Sequence, residues 1–159
     1  APVIKRAQLA GVPVVLVRRQ DFIRRSDFEA AIIQRLENYK IDLIALAGFM
    51  RLLSPEFVKR YRNRIINIHP SLLPEFKGVQ AIRDALEAGA DSTGVTVHFV
   101  DQKVDHGPVI LQQEVKIKSS DTLAALEKRI HLVEHQLYPQ AIQLLISGKI
   151  KSSPGIKVN

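Results

Sequence analysis

The chain has 159 residues, of which 46% are apolar and 25% charged, with a formal net charge of +7 and no cysteine. This composition is typical of a folded protein and excludes disordered, collagen-like and coiled-coil chains. Without cysteine the chain can form no disulfide, thiolate metal site or cysteine nucleophile. No apolar run approaches the roughly 20 residues that cross a bilayer, so we expect a cytoplasmic protein with no membrane partner.

The positive charge is concentrated in the first half of the chain. Residues 1–80 contain 14 Lys and Arg against 7 Asp and Glu, whereas residues 81–159 contain 9 of each. A segment with this excess of positive charge can attract nucleic acid, a membrane surface or a small anionic substrate. A basic nucleic-acid-binding module therefore stays an alternative, although the absence of Trp and the presence of only three Tyr leave few rings to stack on bases.

Turn signals divide the chain into short alternating helices and strands, which predict one domain over residues 1–159 with a flexible tail over 151–159. The first elements are a helix over 1–10, a buried strand over Val14–Val17, a helix opened by a capping box at Ser26 to Glu29, a strand over Leu43–Ala47, a helix from Ser54 and a strand over Ile65–Ile68. A helix near 79–88, strands over 95–100 and 109–117, and a helix from Asp121 that Pro139 kinks or divides complete the order. This order predicts an α/β fold: a Rossmann-like three-layer domain with a mostly parallel central sheet and an antiparallel extension.

The segment from Asn67 to Pro74 carries the strongest chemical signal. Asn67 and His69 share one face at strand spacing, and Pro70 ends the strand beside them. Because ligands of such sheets bind at the carboxyl ends of the strands, this pair is a candidate for catalysis. An amide can donate to an oxyanion and an imidazole can exchange protons near neutral pH. The same two residues could equally satisfy loop backbone and cap the strand.

Asp105 lies in the turn between the last two predicted strands, where turn composition alone explains an aspartate. A catalytic role requires this turn to fold over the end of the Asn67–His69 strand, where the carboxylate could orient the imidazole. Sequence spacing leaves both alternatives open.

Five motifs, in order, resemble the phosphoribosylglycinamide formyltransferases. They are Ala47–Pro55 (AGFMRLLSP), Asn67–Gly78 (NIHPSLLPEFKG), Thr93–Val100 (TGVTVHFV), Asp105–Gln112 (DHGPVILQ) and Glu134–Pro139 (EHQLYP). The resemblance covers the chain from residue 1 to about 150 and implies the formyltransferase fold. It also implies transfer of a formyl group from 10-formyltetrahydrofolate to the amine of 5'-phosphoribosylglycinamide in purine biosynthesis, with no metal.

By this resemblance Asn67, His69 and Asp105 fall on the family's catalytic residues. Asn67 and protonated His69 would stabilise the tetrahedral oxyanion, while Asp105 would keep His69 charged and relay the amine proton through water. The implied folate-binding residues are Phe49, Met50, Arg51, Leu52, Leu53, Val100 and Asp101. The implied residues for the ribonucleotide are Arg25, Pro70 and Glu134. The expected assembly is a monomer or a homodimer.

One part of the family pattern has no counterpart in this sequence. The glycine-rich phosphate loop between the family's first strand and first helix is missing, and no glycine other than Gly11 precedes Gly48. We therefore expect a chain truncated by about one βαβ unit. A fragment completed by another chain and a non-catalytic folate-binding fragment are the alternatives.

Two further enzyme classes share some of these residues. The resemblance also extends to formyltetrahydrofolate hydrolase (deformylase), which usually has a second histidine at the position of Pro70, and to methionyl-tRNA formyltransferase, which carries alanine there.

The segment His131–His135 has the spacing of an inverted zinc-protease motif. That motif needs a further carboxylate ligand downstream, and no Asp or Glu follows Glu134.

Overall fold

The structure, a computed structural model, describes residues 2–149. The tail predicted over residues 151–159 lies outside the described residues. The chain divides into two compact units, up to Ile41 and from Asp42, which are described separately below. The single domain predicted over residues 1–159 stays a prediction.

The first unit is helical. It contains α1 (Pro2–Leu9), a short 3-10 turn (Arg19–Asp21) and α2 (Arg25–Glu37). Phe28 of α2 is buried, and its ring meets that of Phe22 edge to face at 5.9 Å between centroids.

Two predictions for this unit are wrong. Val14–Val17 form no strand, because the described part of the unit contains no second strand with which they could pair. The capping box is also absent, because α2 begins before Ser26 and its N-cap, Arg24, makes no side-chain cap bond. Glu29 instead pairs with Arg25 at 2.9 Å across one helical turn.

The second unit is built on a four-stranded sheet in the order β1 (Ile44–Leu46), β2 (Ile65–His69), β3 (Ser92–Phe99) and β4 (Val109–Lys116). The pair β1–β2 is parallel, whereas β3 and β4 join antiparallel. The α/β class and the antiparallel extension are confirmed. The described sheet is mixed because only one crossover, through α3 (Pro55–Arg60), joins parallel strands.

The core lies between the sheet and α5 (Leu123–Ile146). Leu126, Ile130, Leu137 and Ala141 of α5 are buried in one cluster with apolar side chains of β2, β3 and β4. Their spacing places them on one helical face. The remaining helix of this unit is α4 (Ala81–Glu87). Among the described residues no helix is both long and apolar enough to cross a membrane.

Two helices of this unit begin at capping residues, whereas a proline inside a helix does not divide it. Ser54 caps α3 by accepting from the N–H of Phe57 at 3.1 Å, and Thr122 caps α5 through the N–H of Ala125 at 3.3 Å. Pro139 does not divide α5, which continues to Ile146. Pro139 lies on an exposed face, where water can satisfy the carbonyl that its missing N–H leaves free.

Candidate active site

The register of β2 against β3 aligns polar side chains at the carboxyl end of β2. Asn67 pairs with His98, and His69 pairs with Thr96. Because side chains alternate along a strand, these four residues occupy one face of the sheet. Ile66 and Val97 face the core on the other side. The prediction that Asn67 and His69 share a face at the end of a strand is confirmed.

His69 is buried and both of its ring nitrogens face protein atoms. It is 4% exposed, and Nε2 lies 2.9 Å from the carbonyl oxygen of Phe76, so this nitrogen carries a proton and donates. Nδ1 lies 3.5 Å from Oδ2 of Asp105. That separation is longer than an ordinary hydrogen bond, as is common at catalytic groups before substrate binds.

Asp105 reaches His69 because the loop after β3 turns back over the sheet. Its backbone is left-handed, with φ of 45°, a conformation that aspartate tolerates in turns. Gly107 lies so close to β3 that a Cβ there would stand 1.8 Å from the carbonyl oxygen of Phe99. The N–H of Gly78 donates to Asp105 Oδ2 at 3.0 Å and fixes the carboxylate. The approach that the sequence left open is therefore present.

His98 holds the amide of Asn67. Its Nδ1 donates to the carbonyl of Phe99 at 2.9 Å, which leaves Nε2 as an acceptor 3.5 Å from Nδ2 of Asn67. Burial lowers the pKa of His98, although the bond to Phe99 and the Asp105 carboxylate, 3.8 Å from Nε2, oppose the shift. A neutral His98 beside Asn67 leaves the second N–H of that amide available to a ligand.

The segment assigned to folate by resemblance, Phe49–Leu53, forms the loop between β1 and α3. Met50 is 74% exposed and Leu52 is 63% exposed. Apolar side chains at this exposure, at the carboxyl end of a parallel strand, offer contact area to a flat ligand. Arg51 is also exposed, whereas Phe49 and Leu53 are half-buried.

Val100 and Asp101 begin the loop that carries Asp105. The N–H of Val100 donates to the carbonyl of Ile65 at 2.9 Å. The Asp101 carboxylate accepts from the N–H of Lys103 at 2.8 Å and from His106 at 2.7 Å. Burial alone would raise the pKa of Asp101, but these two hydrogen bonds hold that pKa below its usual value. The carboxylate of Asp101 therefore shapes its own loop, and its contact with folate stays a prediction.

The residues assigned to the ribonucleotide belong to different structural elements. Pro70 follows His69 directly and borders a pocket of about 290 Å³ that Gln80 and Arg83 also line. Glu134 lies on α5 and accepts from His131 at 2.7 Å. Arg25 lies on α2 in the first unit, where it pairs with Glu29.

The residues of the zinc-protease motif, His131–His135, do not form a metal site within the described part of the chain. His131 is bonded to Glu134, and residues 2–149 contain no group of three His, Cys, Asp or Glu side chains that could hold a metal.

Sequence reasoning missed the backbone partners of the catalytic candidates. The carbonyl of Phe76 and the N–H of Gly78 both come from the loop over residues 70–80, hereafter the β2–α4 loop. Phe76 and Gly78 have positive φ, of 49° and 93°. The glycine was a visible signal for such a turn, whereas nothing in the type of residue 76 indicates a left-handed backbone.

The fold and the Asn–His–Asp cluster agree with one protein class. The family model described as "Formyl transferase" matches residues 1–142, and the chain belongs to this family.

Within the family the chain is similar to phosphoribosylglycinamide formyltransferases. It is 43% identical to that enzyme of Bacillus subtilis over 92% of this chain and 75% of the relative. The structure of the Streptococcus pneumoniae enzyme superposes with a TM-score of 0.88 at 42% identity, over 92% of this chain and 81% of that one. The chain is also 44% identical to human trifunctional purine biosynthetic protein adenosine-3 over 98% of its own length, but it spans only 15% of that protein.

Proposed function

We propose that the protein transfers a formyl group from 10-formyltetrahydrofolate to the amine of 5'-phosphoribosylglycinamide, a step of purine biosynthesis. The observation that carries the proposal is the cluster of Asn67, His69 and Asp105 at the carboxyl end of β2. The names of the relatives that share this fold at above 40% identity support the same reaction.

In the proposed reaction the amine nitrogen attacks the formyl carbon, and the carbonyl electron pair moves onto oxygen. The resulting tetrahedral intermediate collapses by reforming the carbonyl and breaking the bond to N10 of the folate. The amine loses one proton and N10 gains one, so atoms and charge balance without a metal or redox partner. Holding the two substrates in contact accounts for much of the rate in such a direct transfer.

Asn67 and His69 are the proposed oxyanion donors. The amide of Asn67 has one N–H directed at His98 and a second one available for the oxyanion. His69 Nε2 donates to the carbonyl of Phe76 in the free protein, so the oxyanion would replace that carbonyl as acceptor. Buried donors of this kind act strongly because little water competes with them.

Asp105 is the proposed partner of protonated His69 and the acceptor of the amine proton through a water molecule. Its Oδ2 lies 3.5 Å from Nδ1 of His69, which places the carboxylate directly beside the imidazole.

The proposed folate site comprises the loop Phe49–Leu53 together with Val100 and Asp101. Exposed Met50 and Leu52 supply apolar contact, and the backbone of this loop supplies donors and acceptors for the pteridine. Ribonucleotide binding is assigned to Pro70 and Glu134, and Arg25 is proposed by resemblance alone as a basic residue for the phosphate. The excess of cations in residues 1–80 suits the two anionic substrates.

We further propose that the protein acts in the cytoplasm as a monomer or homodimer, without a nucleic-acid or membrane partner. Its partners are then the two small-molecule substrates alone.

The test replaces Asn67, His69 or Asp105 by alanine and measures formyl transfer by the change in folate absorbance. Loss of one oxyanion donor costs about a hundredfold to a thousandfold in turnover. Binding of a folate analogue, followed by fluorescence, should remain close to wild type. His135→Ala is the control, because this exposed histidine lies outside the cluster. Wild-type rates in all three variants would refute the proposal. Hydrolysis of 10-formyltetrahydrofolate by the wild-type protein without formylation of the amine would favour the deformylase.

A further inference from the structure

The β2–α4 loop supplies a partner to each of two catalytic candidates. Its Phe76 carbonyl accepts from His69 Nε2 at 2.9 Å, and its Gly78 N–H donates to Asp105 Oδ2 at 3.0 Å. The direction of the imidazole and that of the carboxylate therefore both depend on the conformation of this one loop.

The loop is attached to the sheet through Thr96 of β3 and Gln112 of β4, hereafter the anchor pair. The hydroxyl of Thr96 donates to the carbonyl of Ser71 at 2.6 Å and accepts from the N–H of Leu73 at 3.1 Å. Gln112 Nε2 donates to that hydroxyl at 2.8 Å and to the carbonyl of Leu73 at 3.0 Å. The hydroxyl thus uses its one donor and both acceptor positions.

Strand register explains why Gln112 and not its neighbour makes these bonds. Gln112 pairs directly with Thr96, whereas Gln113 pairs with Val95. Successive side chains alternate between the faces of a sheet, so Gln113 points away from the loop. Gln113 makes no side-chain hydrogen bond within the part of the chain that the structure describes.

Close packing reinforces this attachment. A Cβ at Gly94 would stand 2.4 Å from Cδ2 of Leu72 and 2.3 Å from the carbonyl oxygen of Gln113. The glycine lets the first half of the loop lie directly on β3, where the anchor pair holds it.

We propose that Gln112 is a positioning residue for His69 and Asp105, acting through Thr96 and the β2–α4 loop. This inference rests on the proposed function for its kinetic part only. Among the described residues Gln112 has no hydrogen bond to either catalytic side chain, and it lies outside the proposed substrate-binding residues, so its loss should leave substrate affinity nearly unchanged. Misplacing catalytic groups by about 1 Å can lower turnover about a hundredfold. We expect a fall in kcat of about tenfold to a hundredfold with KM changed less than about threefold.

The test compares Gln112→Met, which keeps the length of the side chain without its donors, with Gln113→Met on the opposite face of the same strand. The kinetic readout is kcat and KM for formyl transfer. The second readout is the imidazole N–H signal of His69 in nitrogen-15 NMR of the free protein, where a buried proton bonded to Phe76 exchanges slowly. Gln112→Met should show both the lowered kcat and the loss of this signal, and Gln113→Met should show neither.

Thr96→Ser and Thr96→Val form a second pair that separates the hydroxyl from the shape of the side chain. The serine variant should retain the His69 signal and the valine variant should lose it. Wild-type kcat in Gln112→Met, or lost turnover with an unchanged His69 signal, would overturn the inference. If the wild-type protein transfers no formyl group, the proposed function fails, and the His69 signal in the four variants alone decides the positioning role.

Discussion

The hydroxyl of Tyr138 joins α5 to the last residue of β1 and to the second residue of β2, and removing it has a calculable effect. It donates to the carbonyl of Leu46 at 2.7 Å and lies 3.2 Å from the carbonyl of Ile66. Tyr138→Phe keeps the ring but deletes this donor. Loss of one neutral hydrogen bond, with a carbonyl left unpaired, should lower the free energy of unfolding by about 1–2 kcal/mol. For a chain of this length the melting temperature should fall by about 2–8 °C.

The effect should depend on alkaline pH in a known direction. Burial raises the pKa of Tyr138, so above about pH 10 the unfolded chain loses a proton that the folded chain retains. The stabilising effect of Tyr138 is complete below that pH and declines as the pH rises. The difference between wild type and Tyr138→Phe should therefore shrink above pH 10, by up to about 1.4 kcal/mol per pH unit.

Urea unfolding at pH 7 and near pH 10.5 measures both quantities. Tyr39→Phe is the matched control, because Tyr39 is 49% exposed and its hydroxyl makes no hydrogen bond within residues 2–149. A Tyr138→Phe variant within about 0.3 kcal/mol of wild type at pH 7 would refute the assigned hydrogen bond. A difference that does not change with pH would refute the burial argument.

Three other predictions follow from local structure. Burial lowers the pKa of His98, so between pH 6.5 and 5 the free energy of unfolding should fall with decreasing pH. His98→Gln should reduce that slope by up to about 1.4 kcal/mol per pH unit in urea unfolding. An unchanged slope would contradict the assignment of a neutral, buried His98. Gly107→Ala should cost about 3 kcal/mol or more and lower formyl transfer, because its Cβ would overlap the carbonyl of Phe99; a wild-type melting temperature would argue against this close approach. Thr122→Ala should lower the free energy of unfolding by about 1 kcal/mol through loss of the α5 cap, whereas Thr122→Ser should not.

The sequence predicted the part of the site that one strand carries. Alternation placed Asn67 and His69 on one face, and Pro70 marked the end of β2, because both signals act over a few residues. The approach of Asp105 could not be read this way. It depends on the antiparallel pairing of β3 with β2 and on the contact of Gly107 with Phe99, which are long-range events.

The strand that was predicted wrongly and the anchor pair that was missed have similar physical causes. Val14–Val17 have strand composition, but a strand forms only where another backbone pairs with it. Thr96 and His98 alternate with valines in a buried strand, which is a readable sign of a polar face. The role of Gln112 was not readable, because it depends on which residue of β4 pairs with Thr96, and the register shift between Val97 and His98 cannot be inferred from composition.

The pairing of β2 with β3 also links folding accuracy to chemistry. Polar pairs alternate along these strands with apolar ones, Ile66 with Phe99 and Ile68 with Val97. A slip of the pairing by one residue would place Asn67 and His69 opposite apolar partners. Burial of Ile66 and Val97 in the core therefore also determines that Asn67 lies opposite His98. Substitutions that loosen this core should misalign the reactive groups under conditions in which most of the chain is still folded.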